Sequence, residues 1–466
     1  MSLNLFGRSE EYAYTPAWAS TKSKASKANL IRMVPFVLVA VFVICGTFSF
    51  LYHTSNTLWH TQEHNWPAWV DTTNPAEYLK TAKQPLPVPG ADDSLLMLKT
   101  GAQVIWQRLP IHMIRLKEIY APNRVIYSGV DEVIQGEPVI DVLANVSQKL
   151  QKHDQFKTYH TQKELYQQGV LLSDAKIPGG WDLDKFKFIP MYYHAYKTHP
   201  NMKWYIFYEA DSFCFWNALN RWLLANFDHN VPWYMGSRNI LGGTLFGHGG
   251  SGVVVSNAAM KMTFEEPFNM DEWDDAALKT CCGDALIAEV MAKKGVKMWS
   301  EPHARFQGEQ TWGIRHQPSE WCEPIFTLHH LKPNEVSMLH EWEKTLDPSK
   351  PILYRDLYEK FVHNEISELK TDWNNLSEGA KIDHASLRKQ YANNKEVQRD
   401  DKGQPNLNSA CRLKCSEQKD CFQWQVTDKE CIVNNKFRLG QKKEGVTSGW
   451  MMDRINHLRE SSSCRS

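Results

Sequence analysis

The sequence predicts an α/β fold with a largely parallel sheet, carried behind one hydrophobic span and followed by a small disulfide-rich unit. Three observations predict it. Between residue 93 and about 345, short apolar runs alternate with helix-length segments, the pattern of strands joined by helical crossovers. Residues 33–52 (MVPFVLVAVFVICGTFSFLY) are 20 positions without a charge. Cys411, Cys415, Cys421 and Cys431 fall together in a short polar stretch near the end.

The elements follow in chain order. Residues 1–32 carry Arg8, Lys22, Lys24, Lys27 and Arg32 against Glu10 and Glu11, and past the span no Lys or Arg appears until Lys80. That asymmetry predicts a cytosolic tail, a transmembrane signal-anchor at 33–52 and the rest of the chain on the far side. A cleaved signal peptide fits less well, because its apolar region is usually only about 7–15 residues. Residues 53–92, with Pro67, Pro75, Pro85, Pro87 and Pro89 and no hydrophobic period, read as an extended stem. In the α/β domain (93–345), Leu95–Leu98, Arg124–Tyr127 and Trp204–Tyr208 read as strands. Helices are expected up to Tyr120, near 138–152, over Phe186–His199 and over Trp216–Phe227. A helical and linker extension (346–407, helical over Ile352–Glu368), the cysteine unit (408–455) and a tail (456–466) complete the chain.

Charge is balanced, with 53 basic and 53 acidic residues, so there is no basic face of the kind a nucleic-acid binder needs. On the far side of a membrane, Asn145-Val-Ser and Asn375-Leu-Ser become candidate glycosylation sites, and the cysteines outside the span are free to oxidise. A unit as small as 408–455 buries little core and usually needs staples. Four cysteines allow three pairings, and Cys464 is left over, free or intermolecular. Among Cys214, Cys281, Cys282 and Cys322 two further bridges are possible.

Four stretches carry candidate chemistry. "WYIFYEADSF" (204–213) runs an apolar strand into Glu209 and Asp211. Residues two apart on an extended segment point the same way, so the two carboxylates converge, as a hard divalent cation requires; a wet strand end gives the same pattern. "FGHGGSGVVVSNAAM" (246–260) matches a dinucleotide-binding glycine spacing but opens no helix at once, and no G-x-S-x-G elbow exists to support a hydrolase. What it offers is backbone that another group can approach closely. In "TCCGDALIAEVMAKKGVKM" (280–298), Asp284 opens a helix, as an N-cap or as a proton acceptor facing a cleft. In "WCEPIFTLHHLKP" (321–333), His329 and His330 follow a short strand, so their rings should point to opposite sides, one toward a site.

Taken in order with "LMLKTGAQVIWQRLP", "GWDLDKFKFIP" and "PWYMGS", these stretches resemble glycosyltransferase family 31, the Fringe-like β-1,3-glycosyltransferases. The final "CRLKCSEQKDCFQWQ" and "SGWMMDRI" resemble the PAN/apple-like module of a fungal branch. The resemblance covers about 95–335 plus that module. It implies a GT-A nucleotide-sugar-binding fold and a Golgi type II membrane enzyme using manganese or magnesium. The activity implied is inverting transfer of a hexose or N-acetylhexosamine from a UDP-sugar to a glycan or glycoprotein hydroxyl. "EAD" takes the place of the family's D-x-D motif, with Asp211 as direct metal ligand and Glu209 toward the ribose or a metal-bound water. His329, or His330 in its stead, takes the third metal position. Gly249, Gly250 and Gly252 match the glycine segment near donor and acceptor, and Asp284 stands in the place of the catalytic base. The reading from another class is a membrane-anchored glycan- or protein-binding protein whose transferase-like domain has lost activity.

Overall fold

Runs that are apolar at every position demand a sheet covered on both sides. The computed structural model describes residues 85–464 apart from 266 and 301–303. Its strands up to residue 256 are β1 (Ser94–Lys99), β2 (Arg124–Ser128), β3 (Glu132–Ile134), β4 (Glu137–Asp141), β5 (Trp204–Glu209), β6 (Phe213–Cys214), β7 (Tyr234–Gly236), β8 (Arg238–Leu241), β9 (Thr244–Gly247) and β10 (Val253–Ser256). Seven of them form one sheet in the order β3-β4-β2-β1-β5-β10-β7. β4, β2, β1 and β5 run parallel, while β10 is antiparallel to both β5 and β7. The predicted α/β class with a mostly parallel central sheet is therefore present.

Alternation along β1 and β5 divides the core in two. Leu95, Met97, Tyr205 and Phe207 face one side; Leu96, Leu98, Ile206 and Tyr208 face the other. The covering helices are α1 (Ile105–Glu118), α2 (Phe188–Thr198), α3 (Trp216–Asn226), α4 (Asn257–Phe264) and α5 (Gly283–Lys293). α1 and α3 pack on the Leu96 face through Leu109, Met113, Leu219 and Leu223. α2, α4 and α5 pack on the Phe207 face, where Met191, Met260 and Val290 are fully buried. Each such side chain contributes about 1.5–3 kcal/mol. Because the helices occupy both faces, the open edge for a ligand is the carboxyl end of β1 and β5.

The helix expected near 138–152 is instead strand β4 followed by a single short helical turn, Gln148–Gln151. Gln135 and Gly136, at φ 55° and 85°, make the two-residue turn that folds β3 back on β4. Val139 and Ile140 then favour the strand, where branching at Cβ is accommodated.

Past β10 the chain forms β11 (Thr327–Leu328), α6 (Pro333–Glu343), α7 (Tyr354–Phe361), β12 (Trp373–Asn374) and β13 (Ala380–Asp383). It ends with α8 (Leu407–Ser416), β14 (Gln423–Val426), β15 (Glu430–Asn434), β16 (Gln441–Lys442), β17 (Thr447–Trp450) and α9 (Met452–Ser461). The helix expected over Ile352–Glu368 is thus only the short α7. β13 joins β15, β14 and β17 in a four-stranded antiparallel sheet, so this sheet draws in residues well before 408. Disulfides Cys411–Cys431 and Cys415–Cys421 staple α8 to it.

Two cysteine expectations are corrected. Cys464 is not left over: it is bonded to Cys322. Within the α/β region Cys281 bonds its neighbour Cys282, and Cys214 stays free and buried. The Asn375 sequon is also corrected. Asn375 is fully buried, and its amide donates to the carbonyl of Trp424 at 3.0 Å, so no glycan fits there; Asn145 is exposed. The span at 33–52, the cytosolic tail and the stem up to residue 84 lie outside the described residues. No helix among the described residues is long and apolar enough to cross a membrane.

Candidate metal centre

A short ribbon assembles the site. β6 and β11 pair antiparallel with Leu328 opposite Phe213. Carrying that register on by two places sets Ser212 across from His329 and Asp211 across from His330. The amide of Leu331 donates to the carbonyl of Asp211 at 2.8 Å and closes the arrangement. One ligand atom each from Asp211, His329 and His330 lie within 4.8 Å of one another.

The two histidine rings do not point to opposite sides, as strand alternation implied. β11 ends at Leu328, and His330 takes a left-handed backbone at φ 57°. That turn brings the rings together, with centroids 3.8 Å apart. Both imidazoles therefore join Asp211. Oδ1 of Asp211 and Nδ1 of His329 are buried without a hydrogen-bond partner among the described residues, and Nε2 of His329 lies 3.5 Å from Oδ1. Burial alone would raise the Asp211 carboxyl, but the His329 ring and the Arg108 guanidinium outweigh it and hold it at about 2. His330 is the exposed member of the three; the protein packed against its ring and the neighbouring His329 lower its pKa, which favours the neutral imidazole that a metal needs. Unsatisfied buried donors of this type fit a metal ion. Two imidazoles with one carboxylate suit manganese, iron or zinc better than magnesium.

Glu209 stands outside the three-residue cluster, in an ion pair of its own. β5 ends at Glu209 and Asp211 lies in the following turn, so the two-residue period does not reach Asp211. Glu209 sits opposite Lys99 in the parallel register, and its carboxylate lies 3.0 Å from Nζ of Lys99. Lys99 also pairs with Asp184, whose other oxygen is 3.3 Å from Lys187. Burial opposes the charge on Lys99, but the two carboxylates overcome it and raise its pKa. Burial raises Glu209, while the two lysines keep Asp184 low. The sheet edge thus holds a buried ionic cluster beside the triad. Lys99, Asp184, Lys187 and Arg108 were not singled out from the sequence. The signal for Lys99 was present: a lysine ending an apolar strand raises the same question as Glu209 ending its neighbour.

The glycine loop 248–252 joins the parts. Oγ of Ser212 donates to the carbonyl of Gly250 at 2.7 Å, and Oγ1 of Thr327 to that of Ser251 at 2.5 Å. A Cβ on Gly250 would lie 2.1 Å from Cε1 of His329, so the close approach inferred for this loop is made by the chain's own histidine. Gly252, at φ 82°, also faces Thr327, where a Cβ would meet Cγ2 at 2.9 Å. The amide of Gly249 donates to Oδ2 of Asp284 at 2.9 Å. The other Asp284 oxygen accepts from the amide of Ala285, and the residue is half-exposed. Asp284 is not the N-cap, a place held by Cys282; it lies in the first turn of α5, where the helix dipole favours a negative charge. Each of its oxygens keeps a lone pair for another donor. A carboxylate is therefore tied, through one glycine loop, to an Asp-His-His cluster at the carboxyl edge of a parallel sheet. Comparison with protein-family models finds no match, and comparison with curated proteins finds none.

Proposed function

We propose that this chain is a metal-dependent inverting glycosyltransferase of the GT-A type, similar to the Fringe-like family. It moves a hexose or N-acetylhexosamine from a UDP-sugar to a glycan or glycoprotein hydroxyl in β-1,3 linkage. The observation that carries the reading is the meeting of Asp211, His329 and His330, with Asp284 held across the glycine loop. In this reading Asp211, His329 and His330 would hold manganese. Once bound, the ion supplies positive charge against the charge that grows on the leaving diphosphate.

The chain's own residues do the rest. Asp284 accepts the proton of the acceptor hydroxyl, which attacks the anomeric carbon from the face opposite the leaving group. Such a base contributes about 10²–10⁴-fold. Lys99 fixes Glu209 at the strand end, toward the nucleotide. The hydrophobic segment 33–52 would anchor the enzyme as a type II protein of the Golgi, and the cysteine unit corresponds to the PAN/apple-like module.

The test is a nucleotide-sugar panel including UDP-galactose, UDP-glucose and UDP-N-acetylglucosamine, scored for UDP release with and without manganese. Turnover with one donor, dependent on the metal, is expected. Asp284→Asn should abolish transfer and spare UDP binding. Absence of turnover with every donor, with glycan acceptors supplied, would favour a glycan-binding protein in which the site has lost its chemistry.

A further inference from the structure

Asp211 sits between two peptide planes, and each is held by a hydrogen bond. Its own carbonyl accepts from the amide of Leu331 at 2.8 Å, a contact made by the segment that also delivers the two histidines. The carbonyl of Ala210, on the other side, lies 3.0 Å from Nε2 of His112 on α1. A carbonyl only accepts, so His112 carries its proton on Nε2. Burial, and then the neighbouring Arg115 guanidinium, hold the imidazole down at about 4, so one neutral donor faces one acceptor. Both residues are buried, His112 at 1% exposure and Ala210 at 3%.

α1 meets this stretch of chain with more than one side chain. Arg108, His112 and Arg115 follow one another at helical spacing and so share a face of α1. Arg108 lies 3.1 Å from Oδ2 of Asp211, and Arg115 donates to the carbonyl of Cys214 at 2.5 Å. His112, between them, bonds the backbone next to Asp211. A peptide unit is planar. An oxygen fixed at Ala210 therefore also fixes the amide nitrogen of Asp211 and the direction in which its Cα sets out. With Leu331 holding the following unit, the Asp211 carboxylate is aimed by main chain on both sides.

We propose that His112 is a positioning residue of the metal centre: it locks the peptide between Ala210 and Asp211 and so aims the Asp211 carboxylate at His329 and His330 before an ion arrives. This rests on the metal-dependent reading above and adds to it a residue that touches neither ion nor substrate. A ligand set works only within about 0.5 Å of its productive geometry. A buried carbonyl deprived of its donor is costly where it stands, and the turn that carries it relieves the cost by rotating. Rotation at Ala210 swings Asp211 away from the two rings.

The experiment uses the full chain in detergent. Manganese affinity is read from the spin-resonance signal of the free ion, and stability from denaturant unfolding without metal. His112→Phe keeps a flat ring and loses the donor. His112→Gln keeps a donor, because its amide nitrogen stands as many bonds from Cα as Nε2 does. Val426→Ala, a core truncation in β14, is the stability control. His112→Phe should bind manganese about 10–100-fold more weakly, the usual loss when the support of a ligand goes, and His112→Gln should restore most of it. A merely structural role would lower the unfolding midpoint and leave the manganese affinity of the folded chain unchanged, as in Val426→Ala. Should His112→Phe not fold, His112→Asn, whose amide stops one bond short of Ala210, takes its place with the same expectation. Unchanged manganese affinity in the variant without a donor, or no rescue by His112→Gln, overturns the role of His112 and leaves the metal-dependent reading standing. Failure of the unaltered chain to bind manganese overturns both.

Discussion

A methyl group on Gly250 has nowhere to go. It would sit 2.1 Å from Cε1 of His329, while the Gly249 position meets Phe188 and Glu209 only at 3.2 and 3.3 Å. Gly250→Ala should therefore displace the His329 ring and weaken manganese binding by about 10–100-fold, the usual loss when the support of a ligand is disturbed. Gly249→Ala should cost much less. Manganese titration of the two variants checks this, and an unchanged affinity in Gly250→Ala would remove His329 from the ligand set. The ionic cluster gives a second expectation. Replacing Lys99 by Met leaves Glu209 without its cation and Asp184 with Lys187 alone. The cost should be roughly 3 kcal/mol, as for a buried pair that loses one member. Chemical denaturation measures it, and a loss below about 1 kcal/mol would mean that water already screens the cluster. Asp211 and His329 were legible from residue type and order. The partner of Glu209 was not, because it is set by β1–β5 register and not by spacing along either strand.

At the scale of elements, the strands that are apolar throughout were legible and the irregular ones were not. β1, β2 and β5 announce themselves by short apolar runs, which the fold buries almost throughout. β4 was read as helix because its signal is the turn at Gln135–Gly136, not its own pattern. The ring geometry at His329 and His330 was misread because a single left-handed residue ends the alternation. The segment 304–331, which carries His329, also carries a buried titratable group. His316 stacks on Phe437 with ring centroids 5.4 Å apart, and both its nitrogens are buried without hydrogen-bond partners among the described residues. Burial pushes its pKa down to about 3. A histidine whose folded pKa lies below its unfolded value of about 6.5 contributes fully above that value. Its contribution is lost as pH falls toward the folded pKa. Between pH 7.5 and 4.5 this one group should remove roughly 2–3 kcal/mol of stability. Denaturant unfolding of His316→Leu at both pH values checks it: the pH-dependent part should shrink by that amount, whatever the change in packing. Equal pH dependence in both proteins would show that His316 titrates alike in the folded and unfolded chain.

Across the whole molecule, the cysteine-stapled unit reads in sequence as an appendage, because its composition changes abruptly and its four cysteines close on themselves. Its contacts are another matter. His316 and Phe437 exchange backbone hydrogen bonds at 2.8 and 3.0 Å, and the amide of Gly440 donates to the carbonyl of Trp312 at 2.8 Å. Trp321, Tyr358 and Val362 share one buried cluster with Phe422, Phe437, Trp450, Ile455 and Leu458. Cys322 and Cys464, 142 positions apart, fasten the far end. The segment that delivers His329 is thus clasped by the C-terminal unit between Trp312 and Cys322. Cutting the chain at about residue 400 would uncover Trp321 and Tyr358, both almost fully buried, at about 1.5–3 kcal/mol each. The truncated chain should therefore not survive as a folded, metal-binding α/β domain. In the intact chain, denaturant should unfold both parts in one transition, and Cys464→Ser should move that transition by about 2–5 kcal/mol, the range for a bridge closing a long loop. Intrinsic fluorescence, dominated by tryptophans on both sides of the junction, and far-ultraviolet dichroism should report the same midpoint. Two separate midpoints, or a stable truncated domain that still binds manganese, would make the C-terminal unit an independent module. A single midpoint would make it part of the scaffold that holds the metal ligands in place.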